Sequence, residues 1–489
     1  MIAGQSKSIP RTRQHVWLCQ VRFVRYAPLR MTDTPEPDTQ ASDRQPAKLV
    51  RGSIVGHLVG QTLPMIIGVA AIMSIGLVDA YFIGQLGPEA LAAISFIFPI
   101  SVALSSLGVG VMVGINSVVA RALGEGDHEK AARRANLGIV FAVGCGLILG
   151  LGLYASLGPI FALMNASEDT LPLIQTYMQP FALGFPLILT IMGLNGVLRG
   201  QGEARKTSYV SLIYAAANWV LDPILITGAF GFEGLGIVGA AYATIIGWGC
   251  GVVAAIILAR RCSIPLNVAL MFKGHIIEPM GAILRVGLPA AASNAINPIG
   301  LSVLTAIVAL EGEAAVAGFG AAGRLQSFAV VPLLALSGSI GAIVGQNWGA
   351  KEYDRARQAA IYAGAFCLVW GLGIAIAMVA GGEFFADLFS EDPAVIAEFK
   401  LYLSIAAWGF AGFGLLIVGN GIMNAVDRAS FALGQSLLRV FVVMLPVAWL
   451  LIASWGSSAV YTAELAANLF GAVTAVILVR YVLFKRAPK

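Results

Sequence analysis

The sequence contains few charged side chains. Asp, Glu, Lys and Arg make up 12% of its 489 residues, whereas hydrophobic residues make up 58%. A soluble protein carries about 25% charged residues, because its surface must face water. So little charge excludes a soluble globular protein of this size and indicates a polytopic membrane protein. The 57 glycines suit the close approach of helices in lipid.

Motifs for metal, redox and nucleotide chemistry are missing as well. The five cysteines include no Cys-x-x-Cys pair, the four histidines form no His-Glu-x-x-His motif, and there is no Gly-x-x-x-x-Gly-Lys-Ser/Thr loop. These absences argue against a disulfide framework, a zinc site and ATP-driven transport. A membrane enzyme lacks support too, because no nucleophile–base pair is recognisable. We expect no cofactor beyond a coupling ion, H+ or Na+, and no nucleic-acid partner.

Twelve apolar runs predict an all-α membrane protein with twelve transmembrane helices. Each run is long enough to cross a bilayer, and a helix of that length satisfies its own backbone hydrogen bonds in lipid. The runs cover approximately residues 57–86, 90–119, 136–163, 171–198, 208–229, 235–259, 286–310, 325–347, 359–380, 399–424, 429–454 and 459–484.

Residues 1–50 precede the first run and are polar and aperiodic. They lack the apolar core of a signal peptide. We expect a disordered cytoplasmic tail, or a start codon assigned too early, with Met31 as the true first residue.

Basic and acidic loops alternate along the chain. Lys and Arg follow runs 2, 4, 6, 8 and 12, whereas the intervening loops are acidic or neutral. By the positive-inside rule, this alternation predicts that both termini are cytoplasmic.

The chain also repeats at an offset of 225 residues (288 − 63, 420 − 195 and 349 − 124). The offset relates Leu63-Pro64 to Leu288-Pro289, Asn195-Gly196 to Asn420-Gly421, and Gly124 to Gly349. Three matches in three different helices predict two six-helix halves of parallel topology. We assign residues 51–262 to the first half, 263–284 to a cytoplasmic loop and 285–489 to the second half.

Two acids fall inside predicted spans of the first half. Asp222 follows Asn218 by four residues, so both side chains leave one face of a helix. Pro223 has no N–H, so the carbonyl of Trp219 loses its helical partner. Asp79 lies in the first run at a similar depth, roughly 10 Å below the outer boundary. A charge at such a place costs roughly 2.5–3.5 kcal/mol on insertion scales, which makes an acid there a candidate for function.

Two neighbouring carboxylates in a low dielectric cannot both stay ionised without cost. Such a pair can hold a proton, or it can hold Na+ with help from the oxygens of Asn218 and Thr244. Protonation could then bend the first helix, which contains Pro64, although a simple tolerated kink is the alternative. The aligned positions of the second half are apolar, which predicts that the titratable groups are confined to the first half.

Two charged residues of the second half fall in or near the predicted spans. Arg439 is the main cation within a span, and we expect it to snorkel or to pair with a carbonyl. Glu464 falls near the outer end of the last run, where an interfacial position is expected.

Several segments together resemble the multidrug and toxic compound extrusion (MATE) transporters. They are VDAYFIGQLGPEALAAI at 78–94, LGEGDHEKA and its copy WGAKEYDRA, LNGVLRGQG at 194–202 and NWVLDPILI at 218–226. The resemblance covers about residues 53–484. It implies two six-helix bundles that form a V-shaped cavity in a bacterial inner membrane. It also implies that a single chain exports organic, often cationic, drugs or amphiphiles in exchange for H+ or Na+.

The chain resembles the DinF-like branch of that family, in which the coupling site lies in the first bundle. This resemblance assigns cation coupling to Asp79, Asn218, Asp222 and Thr244, and a cavity role to Asn195. The NorM-like branch instead uses acids of helices 7 and 10, which are acid-free here between their ends. A flippase of a lipid-linked or polysaccharide precursor is the alternative function. It would need a cationic cavity for phosphate, and the sequence offers only Arg439.

Overall fold

The computed structural model of the protein describes residues 47–164, 170–267 and 276–485. Most of the predicted tail (1–46) and the middle of the predicted inter-half loop (268–275) lie outside the described residues. The end of the predicted tail is ordered, because Leu49 is fully buried and its N–H donates to Gln346 Oε1 at 2.9 Å. The end of the predicted loop is helical, since the next helix begins at Ile277.

Twelve helical spans account for most of the described residues, which confirms the predicted fold class. In the first half they are Ile54–Gly84 (helix 1), Pro88–Gly124 (helix 2), His128–Leu163 (helix 3), Thr170–Gly200 (helix 4), Ala204–Thr227 (helix 5) and Ile237–Ala259 (helix 6). In the second half they are Ile277–Val308 (helix 7), Glu313–Ala329 with Val331–Gly349 (helix 8), Tyr353–Ala380 (helix 9), Pro393–Ala425 (helix 10), Ala429–Trp455 (helix 11) and Ser457–Arg480 (helix 12). Helix 8 bends by 44° between its two parts.

Several helices extend beyond their apolar runs because polar residues continue the helical hydrogen bonding. Helix 3 begins at His128, eight residues before the predicted run (136 − 128), since the Asp127 carboxylate caps it by accepting the N–H of Lys130 at 2.9 Å. Helix 8 begins at Glu313, twelve residues early (325 − 313). Its first turns are rich in alanine and glycine, which are too weakly apolar to mark a span by hydropathy alone.

Two large apolar cores each draw on one half of the chain. One contains Phe161, Phe185 and Ile191, and the other contains Phe399 and Tyr461. Separate cores of this kind are what two six-helix bundles require, and they agree with the halves predicted from the repeat.

The two bundles cross where helices 2 and 8 end, and glycine makes the crossing possible. A Cβ added to Gly124 would overlap the carbonyl oxygen of Gln346, and a Cβ added to Gly349 would overlap that of Arg121. These are the two glycines related by the 225-residue repeat. Each helix therefore needs a residue without a side chain at the equivalent position, so that the other helix can approach closely. In the predicted orientation this is the cytoplasmic side, and we call it the internal end.

Polar contacts between the bundles close the internal end. Ser117 Oγ donates to the carbonyl of Asn424 at 2.6 Å, and Arg121 Nη1 donates to the carbonyl of Ala425 at 3.0 Å. The Arg121 guanidinium also lies 3.8 Å from the carboxylate of Asp427. The space between the bundles therefore lies on the other side of this layer, toward what we call the external end.

We predict that Gly124→Ala lowers the stability of the folded protein by about 1–3 kcal/mol. The added methyl group meets the backbone of Gln346, which cannot yield by changing a side-chain rotamer. The matched control is Gly144→Ala in helix 3, where a Cβ meets nothing within 4 Å. Thermal unfolding in detergent measures both, and equal melting temperatures for the two variants would contradict the packing role of Gly124.

Candidate functional site

Helix 5 changes its hydrogen-bonding pattern at its acid. The α-helical part ends at Asp222, and a π-helical turn covers Pro223–Thr227, as the missing N–H of proline leads one to expect. Turns of this type inside helices are frequent at functional sites. Asn218 and Asp222 point into the bundle and are 1% and 0% exposed.

Helix 1 brings Asp79 to the same place. Its carboxyl group interacts with the carboxyl group of Asp222 and with the amide of Asn218. Both acids lie five residues before the external ends of their helices (84 − 79 and 227 − 222), or about 8 Å at 1.5 Å per residue. The structure thus joins the three side chains that were expected to meet, and their role in coupling stays a prediction.

Four buried oxygens of this cluster lack a hydrogen-bond donor in the part of the chain that the structure describes. They are Oδ1 of Asp79, both carboxyl oxygens of Asp222 and Oδ1 of Asn218. A buried acceptor without a donor costs about 1–3 kcal/mol, and more when it is charged. Binding a proton or a small hard cation removes that cost, since such a cation prefers oxygen ligands. Among the described residues no three acidic, histidine or cysteine side chains group together, so a cation here would also need neutral oxygens.

Two hydroxyl groups border the cluster and can supply such oxygens. Asn218 Nδ2 donates to Thr244 Oγ1 over a long distance of 3.5 Å. Tyr177 of helix 4 is 8% exposed, and its hydroxyl lies near Thr244 and within electrostatic range of both carboxyl groups. Nothing in the sequence singles out Tyr177, because an aromatic residue in an apolar run gives no signal that its hydroxyl lies near an acid.

The cleft between the bundles is a second candidate region for function. It contains two adjoining cavities of about 590 and 270 Å³, which share Asn297 and Phe413. The smaller cavity borders Ser117 and Asn424 of the internal polar layer. Volumes of this order suit a small organic ligand.

Arg439 lines the larger cavity and does not snorkel. It is 5% exposed, its Nη1 donates to Asn297 Oδ1 at 2.6 Å, and its Nη2 donates to Asn468 Oδ1 at 2.9 Å. The guanidinium carbon lies 5.4 Å from the centroid of the Phe413 ring. The expectation of carbonyl partners was right in kind, but the oxygens belong to asparagine side chains of helices 7 and 12.

Glu464 lines the same cavity, so its predicted interfacial position is wrong. The residue is 6% exposed, and Gln326 Nε2 donates to its Oε1 at 2.9 Å. Its Oε2 lies 3.0 Å from the Tyr402 hydroxyl. Helix 12 turns this side chain toward helices 8 and 10, so the predicted confinement of membrane acids to the first half is also wrong.

Arg199 is a second cavity cation that the sequence placed in a loop. Helix 4 continues to Gly200, and Arg199 lines the smaller cavity with its buried Nε unpartnered. Gly338 of helix 8 provides space for the Arg199 side chain, since a Cβ at position 338 would lie 3.1 Å from Arg199 Nη1. The expectation that Arg439 is the only cavity cation is therefore wrong.

Two other predicted residues lie apart from these groups. Asn195 is 4% exposed within helix 4 with its Oδ1 lacking a donor, and it is not among the residues that line the two cavities. Helix 1 runs through Pro64 as one 31-residue helix. The cavity role of Asn195 and the bending role of Pro64 stay predictions.

Separate comparisons with known proteins agree on one family. The family model described as MatE matches residues 64–224 and 289–450, two segments that start 225 residues apart (289 − 64). The FAD transporter of Shewanella oneidensis is 34% identical over 397 residues, which cover 80% of this chain and 86% of that protein. The multidrug export protein MepA of Staphylococcus aureus is 27% identical over 424 residues, with 86% and 92% covered. A crystal structure of the Vibrio cholerae MATE transporter VcmN in the bent form superposes with a TM-score of 0.82 at 29% identity, over 88% of this chain and 97% of that one.

We predict that Asp222→Asn raises the melting temperature of the ion-free protein in alkaline buffer by a few degrees. The amide carries its own donor hydrogens and no charge, so it relieves part of the unsatisfied cluster around Asp79. Glu233→Gln, in the exposed loop after helix 5, is the control and should change nothing. A lower melting temperature for Asp222→Asn would contradict the idea that the empty cluster is strained.

The same assay separates the two coupling ions. If Na+ binds the cluster, NaCl stabilises the wild-type protein more than choline chloride does, by mass action on the folded state, and Asp222→Asn abolishes the difference. If only protons bind, the two salts act alike.

Proposed function

Because this chain belongs to the MatE family of transporters, we propose that it is a secondary exporter that couples entry of H+ or Na+ to the exit of small organic molecules. The relatives are transporters and not enzymes, and the chain spans the membrane through many apolar helices. The observation that carries the proposal is the set of donor-free buried oxygens of Asp79, Asn218 and Asp222. On this basis we assign coupling to the first bundle, in line with the resemblance to the DinF-like branch. We take both termini to be cytoplasmic and the working unit to be one chain in a bacterial inner membrane.

The coupling of ion entry to substrate exit follows from the free-energy cost of leaving the buried oxygens of the cluster unsatisfied. With the internal end closed, an ion enters from the external side and gives Asp79 and Asp222 the partner that they lack. Once an ion fills the cluster, tighter packing of helix 1 against helix 5 no longer buries unsatisfied oxygens. The free-energy cost of closing the external end therefore falls, and substrate leaves the cleft. By linkage, substrate bound from the inside must lower the affinity for the ion by the same factor. Pro64 provides a place where helix 1 can bend during this step.

The names of two relatives support small organic molecules as substrates. One is named as a FAD transporter and another as a multidrug export protein, so small organic molecules are the common class. FAD is a candidate substrate because two cavity arginines, Arg199 and Arg439, can offset its phosphates. Organic cations, which the family resemblance suggested, find only one carboxyl group, that of Glu464, on these cavity walls.

A flippase of a lipid-linked precursor is a second candidate, favoured by one observation. Such a carrier needs cations to receive phosphate, and the cleft offers Arg199 in addition to Arg439. Purified protein in vesicles free of lipid-linked precursors separates the two functions. Ion-driven movement of a soluble compound there supports the exporter, and its absence supports the flippase.

We predict that Asp79→Asn and Asp222→Asn each abolish ion-driven accumulation of FAD or of a fluorescent organic cation in inverted membrane vesicles. The amides cannot exchange a proton or bind Na+ as carboxylates do, so no gradient drives the cycle. Glu233→Gln is the matched control and should transport normally. Collapsing the proton and sodium gradients separately identifies the ion. Undiminished accumulation by both aspartate variants would end the proposal.

A further inference from the structure

The cleft walls carry two guanidinium groups that lack an acidic partner. Neither Arg199 nor Arg439 lies within 4.0 Å of a carboxylate in the ranges 47–164, 170–267 and 276–485. Burying a charge is costly unless it is paired. Two unpaired cations facing one cleft therefore indicate that an anion is the missing partner.

Arg439 is held in place by groups that leave its charge uncompensated. Neutral side-chain amides of Asn297 and Asn468 accept from its two terminal nitrogens, and Phe413 packs beside the guanidinium. These contacts use two of the five N–H groups of arginine. A fixed guanidinium with spare donors binds phosphate or carboxylate with little loss of entropy. The surrounding wall, which includes Phe98 and Met444, suits an apolar or aromatic body.

Glu464 shares this cavity but is occupied elsewhere. Its Oε1 accepts from Gln326 Nε2 at 2.9 Å, and the Tyr402 hydroxyl lies 3.0 Å from its Oε2 and 2.7 Å from Gln326 Oε1. One hydroxyl hydrogen cannot serve two acceptors. All three contacts are satisfied together when Glu464 is a carboxylic acid that donates to Tyr402, which in turn donates to Gln326.

This closed ring leaves Arg439 unneutralised. An ionised Glu464 in the same cavity would be drawn toward the guanidinium, since opposite charges attract strongly in a low dielectric. A neutral Glu464 that is tied to helices 8 and 10 does not compete with an incoming anion. The ring thus acts on specificity by positioning Glu464 away from Arg439.

We propose that the cleft contains an anion-binding subsite centred on Arg439, with Arg199 as a second positive group deeper in the cleft, and that it selects aromatic substrates bearing a phosphate or another anionic group. The Gln326–Tyr402–Glu464 ring keeps this subsite positive. The inference rests on the proposed export function, because it names the substrate class that the exporter takes, but it concerns binding and not coupling.

The test compares two fluorescent compounds that differ in one phosphate, riboflavin 5′-phosphate and riboflavin. Binding is measured on the full chain in nanodiscs of neutral phosphatidylcholine, without an ion gradient. The wild-type protein should bind the phosphorylated compound at least about tenfold more tightly, as one charge-assisted contact implies. Equal affinities would overturn the proposal. Asp79→Asn should keep this preference even if it loses transport, so a failure of coupling and a failure of the subsite are distinguishable.

Two variants probe the arginines. Arg439→Gln should weaken the binding of riboflavin 5′-phosphate by about tenfold and leave the binding of riboflavin unchanged. Arg199→Gln, at a less buried position, should also weaken the binding of riboflavin 5′-phosphate. This second variant keeps the test informative if Arg439→Gln does not fold. Arg260→Gln removes an exposed arginine outside the cleft and is the control for net charge. An undiminished phosphate preference in a folded arginine variant would overturn the role of that arginine.

Two more variants probe the ring. Glu464→Gln should bind riboflavin 5′-phosphate like the wild type, because it replaces a neutral acid with a neutral amide. Tyr402→Phe removes the hydroxyl, frees Glu464 to ionise and pair with Arg439, and should weaken phosphate binding. Adding Glu464→Gln to Tyr402→Phe should restore it, which a purely structural role of Tyr402 would not do. A clear gain in phosphate affinity for Glu464→Gln alone would show an ionised Glu464 and would overturn the ring.

A final arm distinguishes a soluble anion from a lipid headgroup. The binding assay is repeated in nanodiscs that contain phosphatidylglycerol. Unchanged affinity for riboflavin 5′-phosphate supports a subsite for soluble anions. Competition by the lipid that disappears in Arg439→Gln supports the same anion subsite with a lipid headgroup as its source. Competition that persists in that variant places lipid binding elsewhere and counts against the assignment to Arg439.

Discussion

The cost of burying charge in a low-dielectric helix bundle governs how this molecule is built. Three solutions occur within one chain. Asp79 and Asp222 face each other with oxygens that lack a hydrogen-bond donor, and a bound ion would remove the free-energy cost of these unsatisfied acceptors. Glu464 is satisfied by a ring of neutral partners. Arg439 donates hydrogen bonds to neutral side-chain amides and keeps its charge available. Each solution corresponds to a different proposed role, namely ion exchange, specificity and anion recognition.

Duplication supplied the scaffold, and the two copies then diverged in chemistry. Gly124 and Gly349 preserve the reciprocal crossing at the internal end, because any side chain at either position overlaps the opposite backbone. π-helical turns interrupt both helix 5, at Pro223–Thr227, and helix 11, at Leu438–Met444. The first turn adjoins an acid and the second contains Arg439. A similar irregularity of the backbone thus presents opposite charges in the two bundles.

The closed internal end and the external cleft describe one state of a carrier. Backbone carbonyls of helix 10 accept hydrogen bonds from Ser117 and Arg121 of helix 2, so this seal depends little on which side chains helix 10 carries. Opening it requires helices 2 and 8 to separate at their glycine contacts. Ion binding in the first bundle can bias that rearrangement only through differential affinity for the two states. Helix 1, which carries Asp79, is continuous from one side to the other and contacts helix 8 through the hydroxyl groups of Thr62 and Ser339, 2.7 Å apart.

The sequence alone determined the twelve spans, the repeat, the shared helix face of Asn218 and Asp222 and the similar depth of Asp79, because hydropathy, a constant offset and helical periodicity are linear properties of the chain. That Asp79 turns toward Asp222 was decided by the tertiary structure. Helix starts were less predictable, since caps such as Asp127 extend helices past their apolar runs. Only the tertiary structure decided that Glu464 and Arg199 face the cleft and that Tyr177 faces the acids. The direction in which a helix turns a side chain is set by the neighbours it packs against, and in lipid an apolar run permits every rotation about its axis.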